Sequence, residues 1–196
     1  MRSDARSNRL RILEAAAEAL AAPGDTSLKS IARRAGVGQG TLYRHFPTRE
    51  SLMLQVYGAE VDELVTAVPA LLTTLSPPHA LRVWLERLLS LGQGTPEFSE
   101  AMRGATAAMT EQCREPYRPL LEALTALVHA NEAAGTILPG TTADDVLVLL
   151  GPLWHVGPHD EEHTRAARLF DVLIRGLCPS SAVRDATDPG ETRRGA

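Results

Sequence analysis

Apolar side chains recur every three or four residues along most of the chain, which is the spacing of one face of an α-helix. No stretch alternates apolar and polar residues as a half-buried strand does. The pattern therefore predicts an all-α fold, with helices over residues 8–22, 27–35, 38–45, 48–69, 79–91, 96–102 with an extension to 113, 119–134, 142–154 and 160–177. Residues 1–7 and 179–196 lack this periodicity, and we expect a frayed start and a disordered tail there.

Turn-forming residues divide the pattern into two domains. A Pro-Gly pair follows the first helix, and a glycine follows the second. Thr48 is placed to cap a long helix that runs at least to Pro69 and links the first three helices to the rest. We therefore expect a three-helix N-terminal domain at residues 8–50 and a helical C-terminal domain at residues 51–178.

Residues 27–46, SLKSIARRAGVGQGTLYRHF, carry the most informative local pattern. The first of two short helices has apolar residues at i, i+3, i+4 and i+7: Leu28, Ile31, Ala32 and Ala35. Ser27 is a suitable N-cap, and Gly36 can take the left-handed conformation that turns the chain sharply. Leu42 and Phe46 are four residues apart and dock the second helix on the first. Two short helices joined in this way form a helix-turn-helix, whose second helix enters the DNA major groove.

The outward face of the second helix has the chemistry of a DNA-reading surface. Its residues have small or hydrogen-bonding side chains: Gln39, Gly40, Thr41, Tyr43, Arg44 and His45. The amide of Gln39 can hydrogen-bond adenine edges, and the guanidinium of Arg44 can pair with guanine or phosphate. The methyl group of Thr41 can contact a thymine methyl. The phenol and the imidazole reach phosphate oxygens. The glycine leaves one point of the helix bare, which allows a close approach to the DNA backbone.

The run I-A-x-x-A-G-V-x-x-G-T-L-Y-x-H-F, which ends at Phe46, resembles the TetR family of bacterial transcription regulators. Pro-Thr-Arg-Glu follows it, and the resemblance extends over residues 8–63. It implies an all-helical homodimer that represses genes until a small molecule binds. It also implies DNA contacts from Ser27, Gln39, Gly40, Thr41, Tyr43 and His45. Arg49, where the family usually has lysine, is expected to bind phosphate, whereas Arg44 matches a variable position.

Charge is segregated along the chain, although the net charge of −4 at first argues against DNA binding. Residues 1–60 hold 9 basic and 6 acidic side chains, which give a net charge of +3. Residues 61–196 hold 11 basic and 18 acidic side chains, which give a net charge of −7. Phosphate contacts supply most non-specific affinity for DNA, so a basic N-terminal domain on an acidic body suits a DNA reader. A purely architectural DNA protein would spread its basic charge over the body.

The two cysteines, Cys113 and Cys178, fit no zinc or redox spacing, so we expect free, buried and reduced thiols, with a disulfide sensor as the alternative. There is no run of eighteen apolar residues and no signal-peptide pattern at the start. We therefore expect a cytoplasmic protein with no membrane association. No cofactor is indicated.

Three histidines recur at four-residue intervals near the last helix, but we do not expect them to bind metal. The Gly-Pro pair at residues 157–158 interrupts the helix that would align them. Only His159 and His163 share a face, and two ligands make an incomplete metal site. We expect both side chains to be solvated, and metal binding by this pair stays open.

The C-terminal domain is expected to dimerise, because a helix-turn-helix protein usually reads two half-sites about 34 to 36 Å apart. The helices at residues 119–134 and 160–177 are the candidates for a four-helix interface across a two-fold axis. Their apolar stripes fit an internal core equally well, and the sequence does not separate the two possibilities.

Large side chains in the C-terminal domain are candidates for an effector pocket: Trp84, Leu88, Met102, Met109, Tyr117 and Trp154. Such side chains more often fill a core. The predicted buried helices offer few ionisable groups, so a small apolar or aromatic effector is favoured over a highly charged one.

The motifs of common enzymes are absent from the sequence, including phosphate-binding glycine loops, GxSxG and zinc-spaced Cys/His sets. The chain is therefore predicted to be a regulator and not an enzyme. A ligand-responsive repressor fits best. The alternatives are an activator of the same family and a helical small-molecule-binding protein without DNA function.

Overall fold

The computed structural model describes residues 2–21, 24–107, 115–156 and 160–178. Every regular element within these ranges is helical, as predicted. The α-helices are α1 (Arg2–Ala21), α2 (Leu28–Arg34), α3 (Gln39–His45), α4 (Arg49–Val56), α5 (Gly58–Thr74), α6 (Pro77–Gly94), α7 (Pro96–Ala107), α8 (Arg118–Ala133), α9 (Ala143–Leu150) and α10 (Asp160–Leu177). Short 3-10 helices at Glu115–Tyr117 and Gly151–His155 precede α8 and follow α9. The expected tail at 179–196 lies outside the described residues.

The first helix begins at Arg2, so the expectation of a frayed start before residue 8 is wrong. No proline or glycine interrupts this stretch, and Asp4 lies in the first turn, where a negative charge stabilises the helix dipole. The core-facing side of α1 is Ile12, Ala15, Ala16 and Ala19. This side packs on α2, α3 and α4, and we call α1 to α3 the head and the helices from α5 onward the body.

The long linking helix that the sequence predicts is two helices in the structure, because the helical conformation is interrupted at Tyr57. Thr48 caps α4 as expected, in a reciprocal capping box with Ser51. At Tyr57 the backbone leaves the helical conformation (φ −90°, ψ 27°), and Gly58, a poor helix former, follows. The Tyr57 ring meets the ring of Phe98 on α7 edge-on, with centroids 5.9 Å apart. Burial raises the pKa of Tyr57, and the nearby charges of Glu97 and Glu60 raise it further.

The α4 helix lies between the head and the body and packs against both α1 and α7. Four successive residues, from Ser51 to Leu54, are buried. A helix with one solvated side would expose part of such a run. The head is therefore attached to the body through a buried segment and not through a solvated linker.

The body is built around α5, α6 and α8. Trp84 of α6 donates its indole N–H to the Leu64 carbonyl of α5, with Nε1 and O 2.8 Å apart. The apolar stripe of α8 faces this core: Leu120, Ala123, Leu124, Leu127 and Val128 are buried within one chain. The prediction that this helix contributes its stripe to a dimer interface is therefore wrong, and the other open reading, internal core, is correct.

Apolar side chains remain exposed on α9 and α10, which pack against each other. Val148 and Leu149 of α9 are 55% and 53% exposed, and Leu169 and Val172 of α10 are 41% and 67% exposed. The opposite side of each helix is buried, as at Val146. The two helices therefore leave an apolar surface on the outside of the chain. Within the described ranges no helix is both long and apolar enough to cross a membrane.

Gly36 has a backbone conformation that strains any other residue. Its φ is +62°, and a Cβ built there would lie 2.6 Å from Nη2 of Arg11. That guanidinium donates to the carbonyl oxygens of Ala35 and Gly36, which closes the end of α2.

We expect Gly36→Ala to lower the free energy of unfolding by about 1–3 kcal/mol, because it adds left-handed strain and displaces the Arg11 cap. Urea denaturation followed by circular dichroism measures this loss. Gly58→Ala is the matched control, because the added methyl meets open space in an ordinary helical conformation. Equal stability of the Gly36 variant and the wild type would contradict the assignment.

Candidate nucleic-acid interface

The start of α2 is fixed by local hydrogen bonds around Ser27. The Ser27 hydroxyl accepts from the Ser30 N–H at 3.2 Å, as predicted for an N-cap. The Asp25 carboxylate accepts from the Ser27 N–H at 2.8 Å. This backbone hydrogen bond, followed by a side-chain bond to Ser27, holds the pKa of Asp25 below its ordinary value. The N-terminus of α2 is therefore ordered, and Ser27 remains exposed.

The outward side of α3 presents the predicted set of residues to solvent. Leu42 and Phe46 are buried and hold the opposite side against α1 and α2. Tyr43 is 48% exposed, although an aromatic ring of this size is usually buried. The remaining members of the set are exposed or half-buried: Gln39, Gly40, Thr41, Arg44 and His45. The structure thus brings these six side chains onto one helix.

Two members of the set have features that the sequence did not reveal. Arg44 lies along the helix and donates from Nε to the Gly40 carbonyl at 3.0 Å and from Nη2 to the Thr41 hydroxyl at 3.2 Å. Gly40 has an ordinary helical φ, and a Cβ built on it would meet nothing within 4 Å. Neither backbone strain nor internal packing in the chain requires glycine at this position.

Arg49, the expected phosphate ligand, is held within the protein. Its guanidinium donates to the Thr26 carbonyl and, at 3.2 Å, to the Thr26 hydroxyl. Its Nε lies 4.0 Å from a carboxylate oxygen of Glu100 on α7. This residue therefore joins α4 to the loop before α2 and to the body. These partners could not be predicted from local sequence, because Thr26 is 23 positions away and Glu100 is on another domain.

The predicted effector pocket is filled by its own side chains. Trp84, Leu88, Met102 and Tyr117 are at most 2% exposed, and the Tyr117 hydroxyl donates to the Ala101 carbonyl at 2.7 Å. They are packed core side chains in this structure, while Met109 lies outside the described residues. Trp154 alone of the six lines one of the clefts described next.

Two clefts separate the head from the body. One, of about 660 Å³, lies between α1, the end of α3, α4 and the segment before α8; Arg9, His45, Gln55 and Glu115 line it. The Arg9 guanidinium lies over the Phe46 ring there, 5.5 Å from its centroid. The other, the junction cleft, has a volume of about 550 Å³ and is lined by Thr26, Arg49, Gly92, Gln93, Pro96, Glu97, Ser99, Glu100, Trp154 and Val156.

No group of three or more histidine, cysteine or acidic side chains within the described ranges is placed to hold a metal ion. His159 and Cys113 lie outside those ranges, and the His163 side chain is likewise not described. Cys178, directly after α10, is an exposed free thiol, so the expectation that it is buried is wrong.

Comparison with protein families gives two matches that together span most of the chain. Residues 12–56 match the family described as bacterial regulatory proteins, tetR family. Residues 76–179 match the C-terminal domain described as transcriptional regulator SbtR-like. The first match covers the second half of α1 together with α2, α3 and α4, and the second covers α6 through α10.

Individual relatives agree with these matches. An HTH-type transcriptional regulator from Staphylococcus aureus is 40% identical over 68 residues, which is 34% of this chain and 37% of that protein. The chain therefore aligns with little more than a third of that curated relative. A TetR transcriptional regulator from Streptomyces coelicolor is 36% identical, with a TM-score of 0.55, over 88% of this chain and 99% of its own.

A more distant structure shares the fold. Thermus thermophilus FadR, a TetR-family transcriptional repressor solved in complex with lauroyl-CoA, has a TM-score of 0.63 at 19% identity. It covers 93% of this chain and 99% of its own. The matched proteins are regulators, which confirms the prediction that the chain is a transcription regulator and not an enzyme.

We expect Gly40→Ala to stabilise the fold by about 0.5–1 kcal/mol, because alanine is the better helix former and the methyl meets no protein atom. The same methyl should weaken DNA binding about tenfold or more, if DNA packs against this point of α3. Thermal unfolding and fluorescence anisotropy with DNA from upstream of the gene measure the two effects. Gly58→Ala should leave the affinity unchanged. A stabilised Gly40 variant with full affinity would exclude Gly40 from the interface.

Proposed function

Because the chain belongs to the TetR family of bacterial regulatory proteins, we propose that this DNA-binding transcription regulator is a ligand-responsive repressor. In this proposal it binds a palindromic operator as a dimer and is released by a small apolar or aromatic molecule. The exposed face of α3, with Tyr43 uncovered and Gly40 bare, is the observation that carries the proposal.

The DNA contacts that we propose divide into base readers and phosphate ligands. Gln39, Thr41 and Arg44 lie along α3, where they face base edges when the helix enters the major groove. Tyr43 and His45 are placed for phosphate oxygens, as is Ser27 at the start of α2. Arg49 joins them only after it exchanges its partners in the protein for a phosphate, because its guanidinium is held by Thr26 and lies near Glu100.

The proposed dimer uses the apolar surface of α9 and α10. Val148, Leu149, Leu169 and Val172 form a larger uncovered apolar set than isolated surface residues would. A two-fold interface pairs the same surface on both chains, so these side chains of one chain would pack against the same side chains of the other. The prediction for α10 is therefore kept, and α9 replaces α8 as its neighbour in the interface.

The proposed effector site lies in the body, among the side chains that fill its core. A fold relative, the Thermus thermophilus repressor, was solved with an acyl-CoA. In this chain Trp84 and Met102 are fully buried, so an apolar effector would have to move them apart as it enters. Such a separation would act on α5, whose carbonyl at Leu64 accepts from Trp84.

We expect the double variant Tyr43→Ala, His45→Ala to lose specific binding to the DNA upstream of the gene, because two phosphate contacts are removed from each head. Fluorescence anisotropy across a salt series measures it. His129→Ala is the matched control, because the His129 side chain is exposed on the outer side of α8, and this variant should bind as the wild type does. Retained binding by the double variant would contradict the site assignment.

We expect Val172→Glu to convert the dimer to a monomer, because a carboxylate in the centre of a two-fold apolar surface is repelled by its own copy. Sedimentation equilibrium measures the change. Leu10→Glu on α1 is the control, since Leu10 is similarly exposed, at 51%, but is remote from α9 and α10. A dimer that tolerates Val172→Glu and Leu149→Glu would place the interface elsewhere.

A promoter-reporter assay in a strain without the gene separates repression from activation. The proposal predicts higher expression in that strain, whereas an activator gives lower expression. Unchanged expression would count against both functions.

A further inference from the structure

One arginine of α6 contacts α10 in two ways. Nη2 of Arg82 donates to a carboxylate oxygen of Asp171 at 2.6 Å, and the guanidinium lies over the Phe170 ring, 5.4 Å from its centroid. Its Nε also lies 2.9 Å from a carboxylate oxygen of Glu86, one turn along α6. The hydrogen bond to Asp171 holds the pKa of Arg82 above its ordinary value. A planar guanidinium suits these three contacts together, whereas the single ammonium group of a lysine does not.

Beside this contact, α6 and α10 are separated by a cleft of about 330 Å³. Next to the residues of the arginine cluster, the cleft is lined by Leu89, Ser90 and Gln93 of α6 and by Ala166 and Ala167 of α10. The two alanines have small side chains, so α10 has room to turn about its own axis there. The end of α10 is attached separately, because the Leu138 N–H donates to the Leu177 carbonyl at 2.8 Å.

The arginine contact and the exposed apolar residues are on different sides of α10. Successive residues of an α-helix are about 100° apart around its axis. Asp171 therefore points about 100° away from Val172 and about 160° away from Leu169, which are the exposed apolar residues of this helix. Phe170, which is buried, lies on the side between Leu169 and Asp171. Arg82 thus holds one flank of α10 while another flank is uncovered, and a turn of the helix would redirect both.

We propose that Arg82 is a positioning residue for the dimer, because its contacts with Asp171 and Phe170 fix the rotation of α10. That rotation sets the direction in which Leu169 and Val172 face the second chain. Without the arginine, α10 can turn into the cleft beside it, and the apolar side chains of the two copies no longer meet in register. This inference rests on the proposed dimer through α9 and α10.

Sedimentation equilibrium of the full chain gives the dimer dissociation constant of each variant. We expect Arg82→Met, which keeps a long side chain but removes the charge, to raise this constant about tenfold or more. Arg82→Lys should also raise it, because the ammonium group does not replace the fork of contacts. Arg87→Met is the matched control and should leave the constant unchanged. Arg87 is an exposed arginine of the same helix, and it lines a different cleft with residues of α5.

An exchange of the two charges separates positioning from a general loss of stability. Arg82→Asp and Asp171→Arg should each weaken the dimer. The double variant should recover at least part of the loss, because opposite charges face each other again across α6 and α10. Circular dichroism at concentrations where the chains are monomeric should show the same helix content for all variants. Asp171→Ala, which removes the partner alone, is a second route to the same loss of association.

Wild-type dissociation constants for Arg82→Met and Asp171→Ala would overturn the proposal. Equal effects of Arg82→Met and Arg87→Met, or a double exchange variant as weak as its parents, would overturn it too. Val172→Glu distinguishes the two levels of the argument. If that variant remains a dimer, the proposed interface and the inference both fail. If it is a monomer while Arg82→Met dimerises as the wild type does, only the positioning role of Arg82 fails.

Discussion

The head is attached to the body through α4, which is buried from both sides. Leu52, Met53 and Leu54 are each at most 2% exposed, because α1 covers the helix from the head and α7 covers it from the body. Each such side chain stabilises the fold by about 1.5–3 kcal/mol. The head therefore has no independent orientation, because turning it would expose this cluster.

Polar contacts at the same junction hold the first residue of α4. Arg49 is the first residue of α4, and its guanidinium connects the loop before α2 with the acidic start of α7. The break at Tyr57 ends α4 after two turns and sets Tyr57 against Phe98. The junction thus has a buried apolar part, which holds the head, and a polar part around Arg49.

The helix-turn-helix and the exposed side of α3 were predictable because their determinants are local: the Ser27 cap, the Gly36 turn, and Leu42 four residues before Phe46. The linking segment was predicted as a single helix because its apolar spacing continues through Tyr57. The spacing of apolar residues does not reveal that one residue has a non-helical backbone conformation. The role of the apolar stripe on α8 could not be assigned from the sequence, for another reason. A stripe shows that a face is covered, but only the packed fold shows whether the same chain covers it. The junction cleft is lined by residues up to 130 positions apart, and a local sequence pattern cannot predict such a site.

We propose that a two-fold dimer reads DNA with two heads whose spacing is set through α4. Hydroxyl-radical footprinting of the full chain on the DNA upstream of its gene tests this most directly. The account predicts two protected half-sites related by a two-fold axis, with centres one helical turn, about 34–36 Å, or a whole multiple of it apart. Protection that is uniform along the DNA, or confined to a single half-site, would contradict it.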